Sequence, residues 1–135
     1  MEKTEKKALS NIRLQHAEEC LEDSRNCLSS ERYKNSANRS YYAIFHAMRA
    51  VLALDEYDSK KHSGIISEFR KRYIKTEILP RQLSSTIIEL FDIRTSSDYD
   101  DFFIISKEEV IKQYENAAEF VEAIKKYLND INMTE

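Results

Sequence analysis

The sequence predicts an all-α fold, an antiparallel bundle of four to five helices forming a single domain over residues 1–135, with its core at about 5–130. Three observations carry that expectation. The chain has 135 residues, the size of one domain. It contains one Gly and one Pro, which leaves almost no material for the tight turns of hairpins, sandwiches and barrels. Its 41% hydrophobic and 33% charged residues suit helices that bury one stripe and leave the others in water.

Helix one is expected over residues 5–29, where Leu9, Ile12, Ala17, Cys20, Leu21, Ser24, Cys27 and Leu28 recur at helical spacing. Polar Ser29, Ser30 and Glu31 then supply a turn. Helix two, over 33–54, is the longest uninterrupted apolar-rich pattern and closes in the acidic run 55–58. Helix three begins near Ser63, whose hydroxyl suits a cap, carries Ile65, Ile66, Phe69 and Tyr73 on one face, and stops before Pro80. Helix four, over 81–95, presents Leu83, Ile87, Leu90, Phe91 and Arg94 along one side, so a cation stands in line with a core stripe. A loop is expected over 96–106, with Tyr99, Phe102 and Phe103 as aromatic anchors. Ser106 and Glu109 form a capping-box pattern that opens helix five, striped by Val110, Tyr114, Ala117, Val121, Ile124 and Leu128 and followed by a polar tail. No internal repeat, low-complexity tract or linker argues for a second domain.

Composition also narrows the function. No stretch reaches the roughly 18–20 apolar residues of a membrane span, and the charged residues 1–7 lack the apolar core of a secretory signal, so a cytoplasmic protein without a membrane segment is expected. Cys20 and Cys27 lie seven apart on one helix, about 10 Å between α-carbons and beyond the roughly 7 Å disulfide limit, which leaves them as packing residues. No zinc ligand set occurs, and no cofactor or metal is expected; the acidic cluster 98–101 reads as a loop at the end of a bundle. The formal charge of −3 is unevenly spread: residues 1–30 net −1, 31–81 net +5 and 82–135 net −7. A cationic middle is suited to a polyanion.

Helix two has two distinct faces. Ala37, Tyr41, Ile44, Phe45, Met48, Val51 and Leu52 share an arc of roughly 120°, a core stripe at about 100° per residue. On the opposite side Arg32, Asn35, Arg39, Tyr42, His46 and Arg49 repeat at steps of three and four, with Ala43, Ala47 and Ala50 between them. Small residues admit a second helix closely, so this Arg39/Ala43/His46/Ala50 face is expected to meet a twin in a homodimer. Arg39 and His46 leave the same side of the helix about 10 Å apart along its axis, with Tyr42 between them. Imidazole exchanges a proton near neutral pH, and guanidinium holds a phosphate through two parallel hydrogen bonds. That combination suits cleavage of an RNA phosphodiester, where a base draws the 2′-hydroxyl proton and fixed charge stabilises the transition state.

The run from Glu31 through Arg39-Ser40-Tyr41-Tyr42-Ala43-Ile44-Phe45-His46 to Ala50 resembles the signature helix of HEPN domains, the higher eukaryotes and prokaryotes nucleotide-binding family. Arg39, six intervening residues and His46 fit the family's Arg-x4–6-His motif, in a Tyr-Tyr-Ala-x-Phe-His setting found in small stand-alone prokaryotic members. Lys61-His62-Ser63-Gly64 and Arg94-Thr95-Ser96-Ser97-Asp98-Tyr99 look like later landmarks of that subfamily, so the resemblance covers nearly the whole chain. Ser40 stands where many active members carry Asn, Asp or His after the motif Arg. The resemblance implies a dimeric helical bundle whose motif residues line a cleft at the dimer interface, a composite site to which both copies bring Arg39 and His46. It also implies metal-independent endoribonuclease activity, in a toxin neutralised by a nucleotidyltransferase-like antitoxin. Carried over by position, His46 is the acid/base and Arg39 the phosphate clamp, with Tyr42, Arg32, Asn35, Arg49 and His62 as substrate-binding candidates. The alternatives are a nucleotide- or partner-binding module that breaks no bond, and a structural adaptor.

Outside helix two, His62 sits beside Lys60 and Lys61 at the start of helix three, and Gly64 suits a close backbone approach. Arg94 and Asp98 are spaced for an ion pair within one helix, and His16 is expected at the surface.

Overall fold

Two long helices, α1 (Lys3–Ser29) and α2 (Tyr33–Ala53), fold back on each other through the short turn 30–32. In the computed structural model, which describes residues 1–133, three more follow: α3 (His62–Phe69), α4 (Leu83–Tyr99) and α5 (Lys107–Met133). Among the described residues there is no strand, and the all-α bundle expected from composition is what forms. Helix five continues to Met133, where a polar tail was expected, and residues 134–135 lie outside the described residues. Helix α2 is the central element and packs against each of the other four. Accordingly it is buried on nearly every side, with Tyr41, Ile44, Met48, Val51 and Leu52 fully enclosed.

Small residues set how closely α1 and α2 approach. Ala17 and Cys20 of α1 share one apolar cluster with Ala43, Ala47 and Ala50 of α2. Farther along, three buried serines lock the pair: Ser24 Oγ donates to the Ser36 carbonyl at 2.8 Å, and Ser36 Oγ donates to the Ser24 carbonyl at 2.9 Å. With the Ser24 proton committed, Ser40 Oγ is the donor across its 2.8 Å contact to Ser24 Oγ. Such mutual satisfaction lets three hydroxyls sit in a dry contact at little cost. At the other end Arg13 of α1, itself buried, donates to the Arg49 carbonyl at 3.2 Å and pairs with Asp58 at 3.3 Å.

This packing corrects the expected role of the alanine-studded face. Ala43, Ala47 and Ala50 have no exposed surface, because α1 of the same chain covers them. The sequence pattern is right about a closely approaching helix and wrong about its origin. For a second copy, the Arg39/Ala43/His46/Ala50 face is reduced to its polar edge.

Helix ends are closed without glycine. After α1, Arg32 N–H bonds the Cys27 carbonyl at 2.8 Å and Glu31 N–H the Leu28 carbonyl at 3.0 Å, with Glu31 left-handed at φ 61°. That is the Schellman closure, in a conformation glycine adopts freely and other residues adopt at a cost. Glu56 after α2 and Glu77 after α3 are left-handed as well, at φ 57° and 63°. The one glycine serves a different purpose: a β-carbon on Gly64 would meet Ser59 Oγ at 2.5 Å, so its bareness admits the loop before α3.

Three local expectations change. Ser63 lies inside α3, whose N-cap is Lys61 with no side-chain cap bond, and α3 runs on into a π-helical turn, Arg70–Ile74. Helix four continues four residues beyond the expected end, to Tyr99. Of the three aromatic anchors only Phe103 packs inward, against Ala37, Ile105 and Val110; Tyr99 and Phe102 are 87% and 91% exposed. The Ser106 cap does form, accepting from Glu109 N–H at 3.1 Å.

Two measurements check this account. Ala43→Leu overfills the α1–α2 contact and should cost about 1–3 kcal/mol in urea unfolding. Glu31→Gly relieves the left-handed cap and, after the extra chain entropy of glycine, should add about 0.5–1 kcal/mol.

Candidate functional site

Steps of three and four along α2 bring Arg39, Tyr42, His46 and Arg49 to the edge of its contact with α1, where all four are half-buried. Tyr42 is the hub. The Arg39 guanidinium lies over its ring at 5.0 Å from the centroid, and the His46 ring is 6.2 Å away. From the other side come His62 of α3, edge-on at 5.8 Å, and Arg94 of α4, 5.7 Å over the ring. Phe45 stacks on His62 at 4.2 Å and meets His46 at 5.9 Å. His16 of α1 reaches His46 edge-on at 5.6 Å. All three histidines of the chain, from three different helices, thus meet around two aromatic rings.

The His62 tautomer follows from its partners. Its Nδ1 lies 3.1 Å from Arg94 Nη1 and 2.8 Å from the Tyr41 hydroxyl. A guanidinium can only donate, so Nδ1 accepts and the ring proton sits on Nε2. Burial pushes the Tyr41 hydroxyl up to about 12 against the pull of Arg94, which keeps it a donor at neutral pH. Burial, followed by the charges of Arg94 and Arg49, lowers the His62 pKa and keeps the ring neutral.

His46 is held down more strongly. Burial, then His16, Arg49, Arg39 and Arg13, lower its pKa to about 4. Its Nδ1 is buried and has no hydrogen-bond partner. A proton added to the ring would place positive charge among cations with no carboxylate against it, so the neutral base dominates at pH 7. The nearby acid, Asp58, is already occupied by Arg49 at 3.0 Å and Arg13 at 3.3 Å. Arg39, in contrast, bonds only the neutral Asn38 amide oxygen, at 2.7 Å from Nη2 and 3.1 Å from Nε, besides resting on Tyr42. Its charge is not neutralised by any ion pair among the described residues.

Of the residues singled out from sequence, Arg39, Tyr42, His46 and His62 come together. Asn35 shares with Arg39 a shallow hollow of about 460 Å³, also lined by Asp23 and Asn26. Arg32 lies beyond, at the N-cap of α2, in a separate hollow formed with Asp101, Phe103, Ile104 and Ile105. Arg49 is engaged with Asp58 and acts on the histidines through its charge. Ser40, next to Arg39, is fully buried in the serine lock and does not face the cleft.

Sequence reasoning missed three contributors. Tyr41 and Phe45 read as plain core, and His16 as plain surface; its exposure is real, but its ring meets His46. Arg94 makes the expected pair with Asp98 at 3.5 Å and also joins His62, Tyr41 and Tyr42. A cation in line with a core stripe was the available signal. Among the described residues no group of three or more His, Cys, Asp or Glu side chains could hold a metal ion, and no helix is long and apolar enough to cross a membrane.

Comparison with known proteins identifies the family. The HEPN domain family model matches residues 10–127. A Methanocaldococcus jannaschii protein named "Putative toxin MJ0142" is 36% identical over 98% of this chain and 90% of its own length. A Thermotoga maritima "UPF0332 protein" is 30% identical over 94% of this chain and 96% of its own. A second M. jannaschii relative, "Putative toxin MJ0605", is 30% identical over 85% of each.

Titration tests the electrostatics. By NMR, His46 should titrate near 4. The folded state binds that proton less readily than the unfolded chain, whose histidine titrates near 6.5, so stability rises between about pH 4 and 6.5 and is fully present above that window. His46→Gln should flatten part of the rise. Arg94→Met should move the His62 midpoint upward.

Proposed function

The chain belongs to the HEPN domain family, and from that premise we propose that it is an endoribonuclease, the toxin of a two-component module whose antitoxin is a nucleotidyltransferase-like protein. One observation carries the reading: Arg39, a guanidinium without a carboxylate partner, and His46, a base kept neutral, flank a single tyrosine ring. The arrangement is suited to a negatively charged phosphodiester. Arg39 grips a phosphate oxygen, while the Tyr42 face is available for stacking with a base.

His46 draws the proton from a 2′-hydroxyl. The 2′-oxygen bonds to phosphorus, the bond to the 5′-oxygen breaks, and the products are a 2′,3′-cyclic phosphate and a 5′-hydroxyl. His16, exposed and edge-on to His46, is placed to return a proton to the departing 5′-oxygen. A base with a pKa near 4 is weak, and the substrate itself reduces the deficit. An RNA phosphate entering among His16, Arg39, Arg49 and Arg13 offsets the part of the depression that these charges add to that of burial, and so raises the basicity of His46. In this reading the chemistry is complete within one chain, and no cleft shared between two copies is required.

Single-stranded RNA should be cut in the presence of EDTA, leaving cyclic phosphate ends. His46→Ala and Arg39→Ala should each lower kcat/KM by about 10²–10⁴-fold. His16→Ala should slow cleavage without abolishing RNA binding. A wild-type protein that cuts no RNA pool, or a His46→Ala variant as active and as growth-inhibitory as wild type, refutes the proposal. The second reading, a nucleotide- or partner-binding module that breaks no bond, draws on the low basicity of His46 before substrate arrives. It predicts that Arg39→Ala loses affinity while turnover is absent throughout.

A further inference from the structure

The molecule carries a cleft outside the histidine cluster. It lies between α3 with its π-helical turn and the first half of α4, and encloses about 670 Å³. Its apolar surface includes Ile66, Ile74, Ile87, Ile88 and Phe91. Arg70, Lys71 and Lys75 contribute three cations, against the single acid Asp92. None of the three has an ion pair among the described residues, and all are exposed. Ile88 is 46% exposed, a large aliphatic chain facing water at the cleft.

The opposite character appears at the end of α4 and in the turn that follows it. Tyr99, Phe102 and Ile104 are each at least 87% exposed, the most exposed large hydrophobic side chains among the described residues. They alternate with acids and anchors. Asp98, Asp100 and Asp101 surround them, while Phe103 and Ile105 turn inward onto Ala37 and Val110. The segment is held in shape: Phe102 N–H bonds Asp100 Oδ1 at 2.9 Å and Phe103 N–H bonds the Asp100 carbonyl at 3.1 Å. Inward anchors and an Asx-type turn therefore present Phe102 and Ile104 to solvent on a defined backbone. Exposing three large apolar groups together is costly unless they are covered.

We propose that the acidic, apolar segment 99–104 of one copy docks into the basic-rimmed cleft between α3 and α4 of a second copy. Charge complementarity selects this occupant. The segment offers Asp100 and Asp101, neither of which has an ion pair among the described residues, and the cleft offers Arg70, Lys71 and Lys75. Phe102 and Ile104 then cover Ile88 and its apolar neighbours. Segment and cleft are different surfaces of one chain, so the contact is heterologous. Each copy keeps one unused segment and one unused cleft, and association continues into open chains or closes into a ring. The contact is independent of the ribonuclease reading, since neither surface contains Arg39 or His46.

The test uses the full chain and two charge-swapped variants, Asp100→Lys/Asp101→Lys and Lys71→Glu/Lys75→Glu. Circular dichroism confirms that each is folded, and sedimentation follows their mass. Wild type should associate with rising concentration and less so at high salt. Each variant alone should associate at least about tenfold more weakly, because its segment and cleft now carry the same sign. Mixed, the two variants should associate again, since each segment meets a cleft of opposite sign. Phe102→Ser/Ile104→Ser should remain monomeric at all salt concentrations. A wild type that stays monomeric overturns the proposal, as does association unaffected by either swap or a mixture no heavier than its components.

Discussion

The distance between α1 and α2 governs the rest of the molecule. Ala17 and Cys20 against Ala43, Ala47 and Ala50, with the Ser24–Ser36–Ser40 lock, bring two long helices together over side chains of one or two heavy atoms. No larger residue fits there without pushing the helices apart. That closeness puts His16 against His46 and lets Arg13 reach both the Arg49 carbonyl and Asp58. It also strips water from one side of His46, the largest single cause of its low basicity. Packing and acid–base character are thus two results of the same contact.

Charge around the cleft is divided rather than balanced. Asp58 takes up Arg13 and Arg49, Asp98 takes up part of Arg94, and Arg39 is left with neutral partners. Aromatic faces fill in for counter-ions: Arg39 rests on Tyr42 and Arg94 on Tyr41 and Tyr42. A cation held by a ring quadrupole and an amide oxygen is oriented without being neutralised. A cleft organised in this way has unmet affinity for an anion before any particular substrate is considered.

Much of this was legible in the residue pattern. The five helices follow from apolar periodicity and from the scarcity of turn formers, and Arg39, Tyr42 and His46 follow from their spacing on one helix. What stayed hidden depends on relations between helices. Periodicity showed that Ala43, Ala47 and Ala50 admit a close neighbour, but it carries no information on whether the neighbour is α1 or another molecule. Nor could it bring His16, His62 and Arg94 to Tyr42, since those side chains arrive from three other helices through tertiary packing. Near Tyr99 the helix runs past its expected end: the Arg94–Asp98 pair spans its last turn, and Asp100 N–H closes it on the Ser96 carbonyl at 2.9 Å. The left-handed caps at Glu31, Glu56 and Glu77 were invisible for a similar reason: the usual marker is glycine, and the fold closes those turns without it.

Gly64 ties these parts into one mechanical piece. Its bare α-carbon lets Ser59 settle directly on α3, one residue from Asp58 and three from His62. Asp58 grips α1 and α2 through Arg13 and Arg49, while His62 is wedged between Tyr41 and Arg94. Displacement on one side of this seam is therefore transmitted to the other. A bulge at the seam would loosen the grip on the long helices and tilt the imidazole at once, so stiffness of the scaffold and alignment of the cleft are inherited together through a single missing methyl group.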